Sequence, residues 1–397
     1  MKPILIRGGL IGILLCLVFL NLYKTANLYN HPDYPYDARN VFIAGKLWQK
    51  GLNPYNDSLL KAEWTGIAVK NKIKTSRPPG FPECGMIYPF WSIPILFPYY
   101  LFSWPIAKGF IWILSLLLLL VIIYFTSKSF PGYGLNFKLI FLIILAFKSS
   151  LVAAALGQPL LMSMAAIMAS WYFYLKKKDA LSGFLLGMAM VKVTLCIPFI
   201  LLFLVNKKYK LLAFSTIFPL AGILSFYSIS GNLYIPEMLS NMSHQMQMNY
   251  AGPTFTIINT NLTELGILFN YFGGINFKII SVFNVSSLLI GSLVLIWFYL
   301  KGFLKEYPFL GLLILWHFLF SYHLIYDCIL LVFLIPLVKT NDNGKWIWLV
   351  LISPLFLPLN GLFKNTEWIQ FHLPVTLLAL FLYLVYDSYR IYRSQRI

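Results

Sequence analysis

A few polar side chains interrupt a chain that is otherwise mostly apolar, and their types suit proton transfer and anion binding. Asp37 lies in HPDYPYDARNVFIAGKLWQKGLNPYN, residues 31–56, together with His31 and Asp33. A carboxylate here can take a proton from a reacting hydroxyl or cap a helix that begins near Ala38. Asp33, set in a turn by Pro32 and Pro35, is the second candidate for proton transfer. Lys192 stands between Val191 and Val193. A lysine in lipid is costly, so it faces a polar cavity, pairs with an anion or snorkels to the interface. His323 and Asp327 are four apart, on one helical face, where the carboxylate orients and charges the imidazole. Such a pair either meets a phosphate or pins two helices together. Gln158 follows Gly157 at a hairpin turn and can hydrogen-bond a sugar or phosphate, or serve the turn alone. Lys148, about two and a half turns earlier, points toward the same cavity in this reading. The stretch SHQMQMNYAGPTFTIINTNLTEL carries His244, Asn259, Asn261 and Glu264, whose amides suit hydroxyl-rich ligands. His31, His317 and His372 show no partner pattern.

The elements that must position these groups follow from composition. Hydrophobic residues make up 59% of 397, charged residues 11%, and the mean hydropathy is +0.75. A soluble chain of this length needs more charge to cover its surface, so the composition predicts an all-α polytopic membrane protein. The net charge of +18 collects in short clusters between apolar spans, the pattern of loops that meet anionic lipid, and nucleic acid is not an expected partner. Cys16, Cys84, Cys196 and Cys328 lack metal-ligand spacing, so neither a metal nor a cofactor is expected.

Apolar runs predict about 12 spanning or embedded helices, near 3–22, 107–126, 138–156, 159–175, 180–191, 194–206, 211–229, 277–300, 308–322, 324–338, 345–360 and 370–388. The clusters Lys176–Lys178, Lys207–Lys210, Lys301 with Lys305, Lys339 with Lys345, and Arg390 to Arg396 fall on one side if 180–206 forms an up-and-down pair turning near Lys192. That side is expected to be cytoplasmic. Segment 86–105 is apolar but holds Pro89, Pro94, Pro98 and Pro105. Proline at that frequency removes helical hydrogen bonds that lipid cannot replace, so this segment is expected to be broken helices buried against protein. The expected architecture is one membrane domain, 1–397, with a long first outer loop at 23–106 and a second at 230–276.

The stretch DARNVFIAGKLWQKGLNPYN resembles the opening motif of glycosyltransferase family 87, one of the GT-C membrane glycosyltransferases. Asp37, Val41-Phe42, Ala44-Gly45 and Gly51-Leu52-Asn53-Pro54-Tyr55 carry the likeness, with Val41 where an aromatic is usual. MIYPFWSIP is similar to the family's Tyr-Pro-Pro segment, with Phe90 at the second proline. LGQPLL, GFLLGMAMVKVTLCIPFILLF and SYHLIYDCILLVFLIPL follow in the family's order, so the likeness spans about residues 35–340.

The resemblance implies a GT-C-like fold and transfer of a hexose, most often mannose, from a polyprenyl-phosphate donor to a lipid or glycan acceptor. It places the reaction on the outer face of the plasma (inner) membrane, among membrane lipids and without nucleic acid. Such chemistry needs a carboxylate near the acceptor hydroxyl and positive donors around the departing phosphate. Asp37 is then the expected general base, Lys192 and His323 the phosphate ligands, and Gln158, Asp327, Asn261 and Lys148 supporting or sugar-binding groups. The alternative class is a transporter or flippase of lipid-linked glycans, for which repeated halves and midplane charges are the usual marks; the sequence shows neither.

Overall fold

Lipid offers no partner to a backbone N–H or C=O, so an apolar chain must satisfy these groups within each segment, which helices do. The computed structural model describes residues 3–30, 35–73, 86–130, 137–251, 263, 265–266, 277–338, 345–356 and 371–394. Every regular element among them is helical. In order these are α1 (Pro3–Asn30), α2 (Tyr36–Gln49), α3 (Asp57–Lys70), the one-turn α4 (Ser92–Ile95) and a 3-10 turn at Phe97–Tyr99. Then come α5 (Trp104–Ser129), α6 (Phe137–Ala146), α7 (Lys148–Leu156), α8 (Leu160–Leu175), α9 (Asp179–Ala189) and a 3-10 turn at Met190–Lys192. They are followed by α10 (Val193–Val205), α11 (Tyr209–Ser215), α12 (Ile217–Ser230), α13 (Ile235–Ala251), α14 (Phe277–Leu300) and α15 (Glu306–Phe320). A 3-10 helix at Ile325–Val338, α16 (Lys345–Phe356) and α17 (His372–Ser394) complete the chain.

The protein is an integral membrane protein by its helices; the expected total of about 12 spanning or embedded helices is not established by them. Among the described residues five helical segments are long and apolar enough to cross by length and composition alone: Trp104–Ser129, Asp179–Val205, Tyr209–Ser230, Lys278–Leu300 and His372–Ser394, the second of them interrupted at Met190–Lys192. The pair α6 and α7, bent by 66° at Phe147, makes a sixth if taken as one. Leu160–Leu175, Glu306–Phe320 and Ile325–Leu334 are apolar but have at most 17 residues, short of the ~20 that a crossing needs.

Asp179–Val205 is not one straight rod. Twenty-seven residues would separate its ends by ~40 Å, yet Lys208 Nζ lies 3.7 Å from Asp179 Oδ2 and over the Tyr174 ring. The chain therefore reverses between them, and Met190–Lys192 is where the α-helix is interrupted. Gly183 and Gly187 then lie so close to the backbones of Leu211 and Ser215 that no Cβ fits, the close approach small residues allow in membranes.

The chain divides into two compact units. The first holds Met1–Ala146, Ser150–Cys196 and Lys208–Gln245; the second holds Phe147–Ser149, Ile197–Lys207 and Met246–Ile397. In the first, segment 86–105 is broken as its prolines require: Pro94 falls in the one-turn α4, Pro98 in the 3-10 turn and Pro105 in the first turn of α5, where no N–H is needed. These turns are covered by an aromatic core. Phe42 and Trp64 both meet Trp104 edge-on, and Trp48 stacks on Phe226 while its indole N–H donates to the Phe226 carbonyl at 3.2 Å.

In the second unit α15 is almost wholly buried. Trp316 on it covers Gly291 of α14 and donates to the Ser287 carbonyl at 3.0 Å. Asn206 bridges Tyr299 and Glu306, and the Tyr307 hydroxyl donates to the Phe333 carbonyl at 2.7 Å.

Candidate active site

Asp37 sits in the first turn of α2, and Pro35 is the N-cap, with no side-chain cap. The expected capping role is thus not the one Asp37 fills. Its negative charge suits the positive end of the helix, and its side chain is half-buried and engaged elsewhere. Gln158 Nε2–H donates to Asp37 Oδ2, and the Tyr88 hydroxyl donates to Gln158 Oε1 at 2.8 Å. Gln158 is 1% exposed and Tyr88 8%.

The glycine before Gln158 makes this contact geometrically possible. Gly157 has φ +61, and a Cβ there would lie 2.7 Å from Ala38 Cβ and 2.9 Å from Ile111 Cγ2. Only a residue without a side chain adopts that conformation cheaply and lets the turn close on the start of α2. The turn is fixed by Gln158 N–H donating to the Ala153 carbonyl at 2.9 Å.

Tyr88 is held from the other end of the opening motif. Gly51, φ +72, ends α2, with Leu52 N–H returning to the Leu47 carbonyl at 3.0 Å. Asn53 Oδ1 accepts from Tyr55 N–H at 2.9 Å, a side-chain turn that aims the Tyr55 ring inward. The Tyr55 hydroxyl then donates to the Tyr88 carbonyl at 2.8 Å. Asn241 of α13 braces this join, donating to the carbonyl of Tyr55 at 2.9 Å. Sequence reasoning assigned Tyr88 and Tyr55 no role, although both lie in quoted motifs; tyrosines in an aromatic-rich chain carry no signal of their own until the fold pairs them.

Burial, and then the Asp37 charge, push the Tyr99 phenol well above its ordinary range. Burial alone does the same to Tyr55 and Tyr100. Arg39, two residues on from Asp37, is 7% exposed and rests over the Tyr36 and Trp64 rings at 5.3 and 5.1 Å, a buried cation the sequence reading passed over.

Lys192 ends the 3-10 turn between α9 and α10. That turn packs in the first unit: Val191 belongs to the aromatic core, and Trp91 donates to the Met190 carbonyl at 3.1 Å. Lys148 opens α7 just after the bend. Asp33, Asn259, Asn261 and Glu264 lie outside the described residues, and His244 is exposed on α13.

His323 and Asp327 do meet, in the second unit. His323 Nδ1 and Asp327 Oδ2 are 3.1 Å apart, and Leu324 N–H donates to the same oxygen at 3.2 Å. The pair stands at the start of the 3-10 helix rather than on an α-helical face. His323 is fully buried, its ring 4.4 Å from Phe318 and 5.0 Å from His317. Thr263 anchors the backbone here by donating to the Phe318 carbonyl at 2.9 Å.

The family model that matches the chain is that of glycosyltransferase family 87, over residues 87–321. Tyr88, Lys148, Gln158 and Lys192 fall inside the match; Asp37 lies before it and His323 just after. No curated protein and no solved structure matches the chain.

Proposed function

That the chain belongs to glycosyltransferase family 87 is the premise from which we propose hexose transfer from a polyprenyl-phosphate donor, mannose in the first instance, with Asp37 as general base. A lipid or glycan hydroxyl is the acceptor. Its oxygen bonds to the anomeric carbon as its proton passes to the Asp37 carboxylate. The bond from that carbon to the phosphate oxygen breaks, and polyprenyl phosphate departs with the electron pair. We place the reaction at the outer face of the plasma membrane.

One observation carries this reading: a half-buried carboxylate at a helix N-terminus, fixed by the amide of Gln158. Both the helix end and the amide favour the ionised form, which is the form that accepts a proton. Both ends of the Gln158 amide have protein partners, so its proposed part is support for Asp37 rather than contact with the sugar. Lys192, on the turn beside Trp91, is proposed to meet the donor phosphate. Within the second unit, taken by itself, His323 is oriented by Asp327, and phosphate binding is proposed for it separately from Lys192. Lys148 and Asn261 remain proposed supporting groups.

The experiment is Asp37→Asn in purified protein given a synthetic polyprenyl-phosphate mannose and an alkyl mannoside acceptor. The substitution keeps shape and removes the ability to accept a proton. Transfer should fall ~10²–10⁴-fold while donor binding persists. Near-normal transfer would sink the assignment, and Asp33→Asn, expected to be mild, becomes the base variant if it alone is dead.

A further inference from the structure

The orientation of the Gln158 amide is not set by Gln158 itself. A glutamine amide can turn over, exchanging its oxygen and nitrogen at almost no cost, and its neighbours decide which end faces where. With nitrogen toward Asp37, the amide donates to the carboxylate. With oxygen toward Asp37, it repels it. The atom at the other end of the amide is the Tyr88 hydroxyl, 2.8 Å from Gln158 Oε1, and a neutral phenol has a proton to donate there. We infer that Tyr88 is a positioning residue for Asp37: the acceptor-only carboxylate takes the Gln158 N–H, and the Tyr88 O–H donates to the Gln158 oxygen left at the other end, completing the amide's bonds and holding its N–H on Asp37 Oδ2.

The fold supports a dedicated arrangement rather than a chance contact. Tyr88 and Gln158 are both nearly inaccessible to solvent, so water does not compete for these bonds. The Tyr88 backbone is pinned by the Tyr55 hydroxyl at 2.8 Å, and the Gln158 backbone by its turn on Gly157. The two ends of the relay are thereby fixed by separate backbone contacts. The Tyr99 phenol is a titratable neighbour, raised above its ordinary range by burial first and then by the Asp37 charge, and Arg39 is a buried cation two residues along the same helix. The inference rests on Asp37 being the base, as proposed above.

The test separates a relay from ordinary packing. Isotope-edited infrared titration of aspartate carboxyls, with Asp37→Asn as the subtraction reference, reads the protonation of Asp37 without any substrate. Gln158→Leu should move that titration to higher pH, because a donor to the charged form is lost. Tyr88→Phe should move it the same way by less, and adding Tyr88→Phe to Gln158→Leu should move it no further, since Tyr88 acts only through the amide. In transfer assays with the same mannose donor and alkyl mannoside, Tyr88→Phe should lower kcat about tenfold with KM for the donor little changed. An unmoved Asp37 titration in Tyr88→Phe overturns the relay, as does a Tyr88→Phe effect that adds fully to that of Gln158→Leu. If the titration and coupling hold but Asp37→Asn still transfers sugar, it is the base assignment that fails while the relay stands as a structural device.

Discussion

The Tyr55 hydroxyl donates to the carbonyl oxygen of Tyr88 at 2.8 Å, and this bond ties the end of the Gly51–Tyr55 turn to the start of the proline-rich segment. Following it onward, Tyr88 reaches Gln158 and Gln158 reaches Asp37, which lies on the helix that the same turn closes. Two motifs distant in sequence and a third beyond them thus form one ring of contacts with Asp37 as a member.

Breaking the ring at Tyr55 has a calculable cost. Tyr55→Phe keeps the buried ring but leaves the Tyr88 carbonyl without this donor. The loss should be about 1 kcal/mol of stability, read by thermal unfolding in detergent, with a smaller effect on transfer than Tyr88→Phe. A stability loss above roughly 3 kcal/mol would mean that packing, not the hydrogen bond, is what Tyr55 supplies.

Two glycines with similar backbone angles should respond differently to alanine. Gly157 and Gly302 have φ +61 and +77, but only at Gly157 does a Cβ meet neighbours. Gly302→Ala should cost about 1 kcal/mol of left-handed strain. Gly157→Ala adds a clash with Ala38 and Ile111, for roughly 3 kcal/mol, and should displace Gln158 from Asp37. The comparison of unfolding midpoints checks the first half, and loss of transfer in Gly157→Ala alone checks the second.

How much of this was legible in the sequence depends on what each signal measures. Apolar runs located the long helices within a few residues, because burial in lipid imposes composition directly: 107–126 became Trp104–Ser129 and 277–300 became Phe277–Leu300. Prolines announced the broken segment at 86–105, and the reversal near Lys192 was read from the placement of lysines. The number of full crossings was not legible, since runs such as 159–175 and 308–322 are as oily as a span and only shorter. Asp37 stood out as a carboxylate in an oily chain, but its partners did not. Gln158 and Tyr88 acquire meaning only through contacts across 121 and 70 positions of chain, which no local pattern encodes.

Alkaline pH should unfold the first unit through its buried phenols. Tyr55, Tyr99 and Tyr100 all have pKa values raised above the ordinary value near 10, with burial as the leading cause. A group whose folded pKa is raised contributes stability that is whole below its unfolded pKa and is lost as pH climbs toward the folded one. Stability should therefore hold up to about pH 10 and decline beyond it, with Tyr55→Phe declining less steeply. Phenolate absorbance should rise for these residues only together with unfolding; ionisation in the intact fold would contradict it.

Sidedness can be read with thiols. In a background lacking Cys16 and Cys84, Ser58→Cys and Lys176→Cys place single accessible thiols at two exposed positions; Cys196 and Cys328 are buried. A membrane-impermeant maleimide applied to intact cells should label Ser58→Cys and spare Lys176→Cys until the membrane is opened. Labelling of both from outside would put the α8–α9 lysines and the Asp37 helix on the same face and remove the proposed outer location.

Phosphate recognition calls for variants that remove charge without wrecking the fold. His323→Ala is a poor choice, because it strands the buried Asp327 carboxylate, and an unpaired buried charge costs several kcal/mol by itself. His323→Gln keeps an N–H toward Asp327 and loses only the capacity to be cationic; Lys192→Met keeps the length of the stem and loses the ammonium. Each charge-assisted contact with a phosphate is worth ~1.5–3 kcal/mol, which converts to about 10- to 150-fold in donor affinity. Calorimetric binding of a polyprenyl-phosphate mannose should weaken by that range in each variant, and should weaken equally for polyprenyl phosphate without sugar, because the contact is to the shared phosphate. Affinity that falls only for the sugar-bearing ligand would move the residue from phosphate to sugar recognition. Unchanged affinity for both ligands, in protein whose unfolding midpoint is preserved, would show that Lys192 and His323 serve the fold and not the donor.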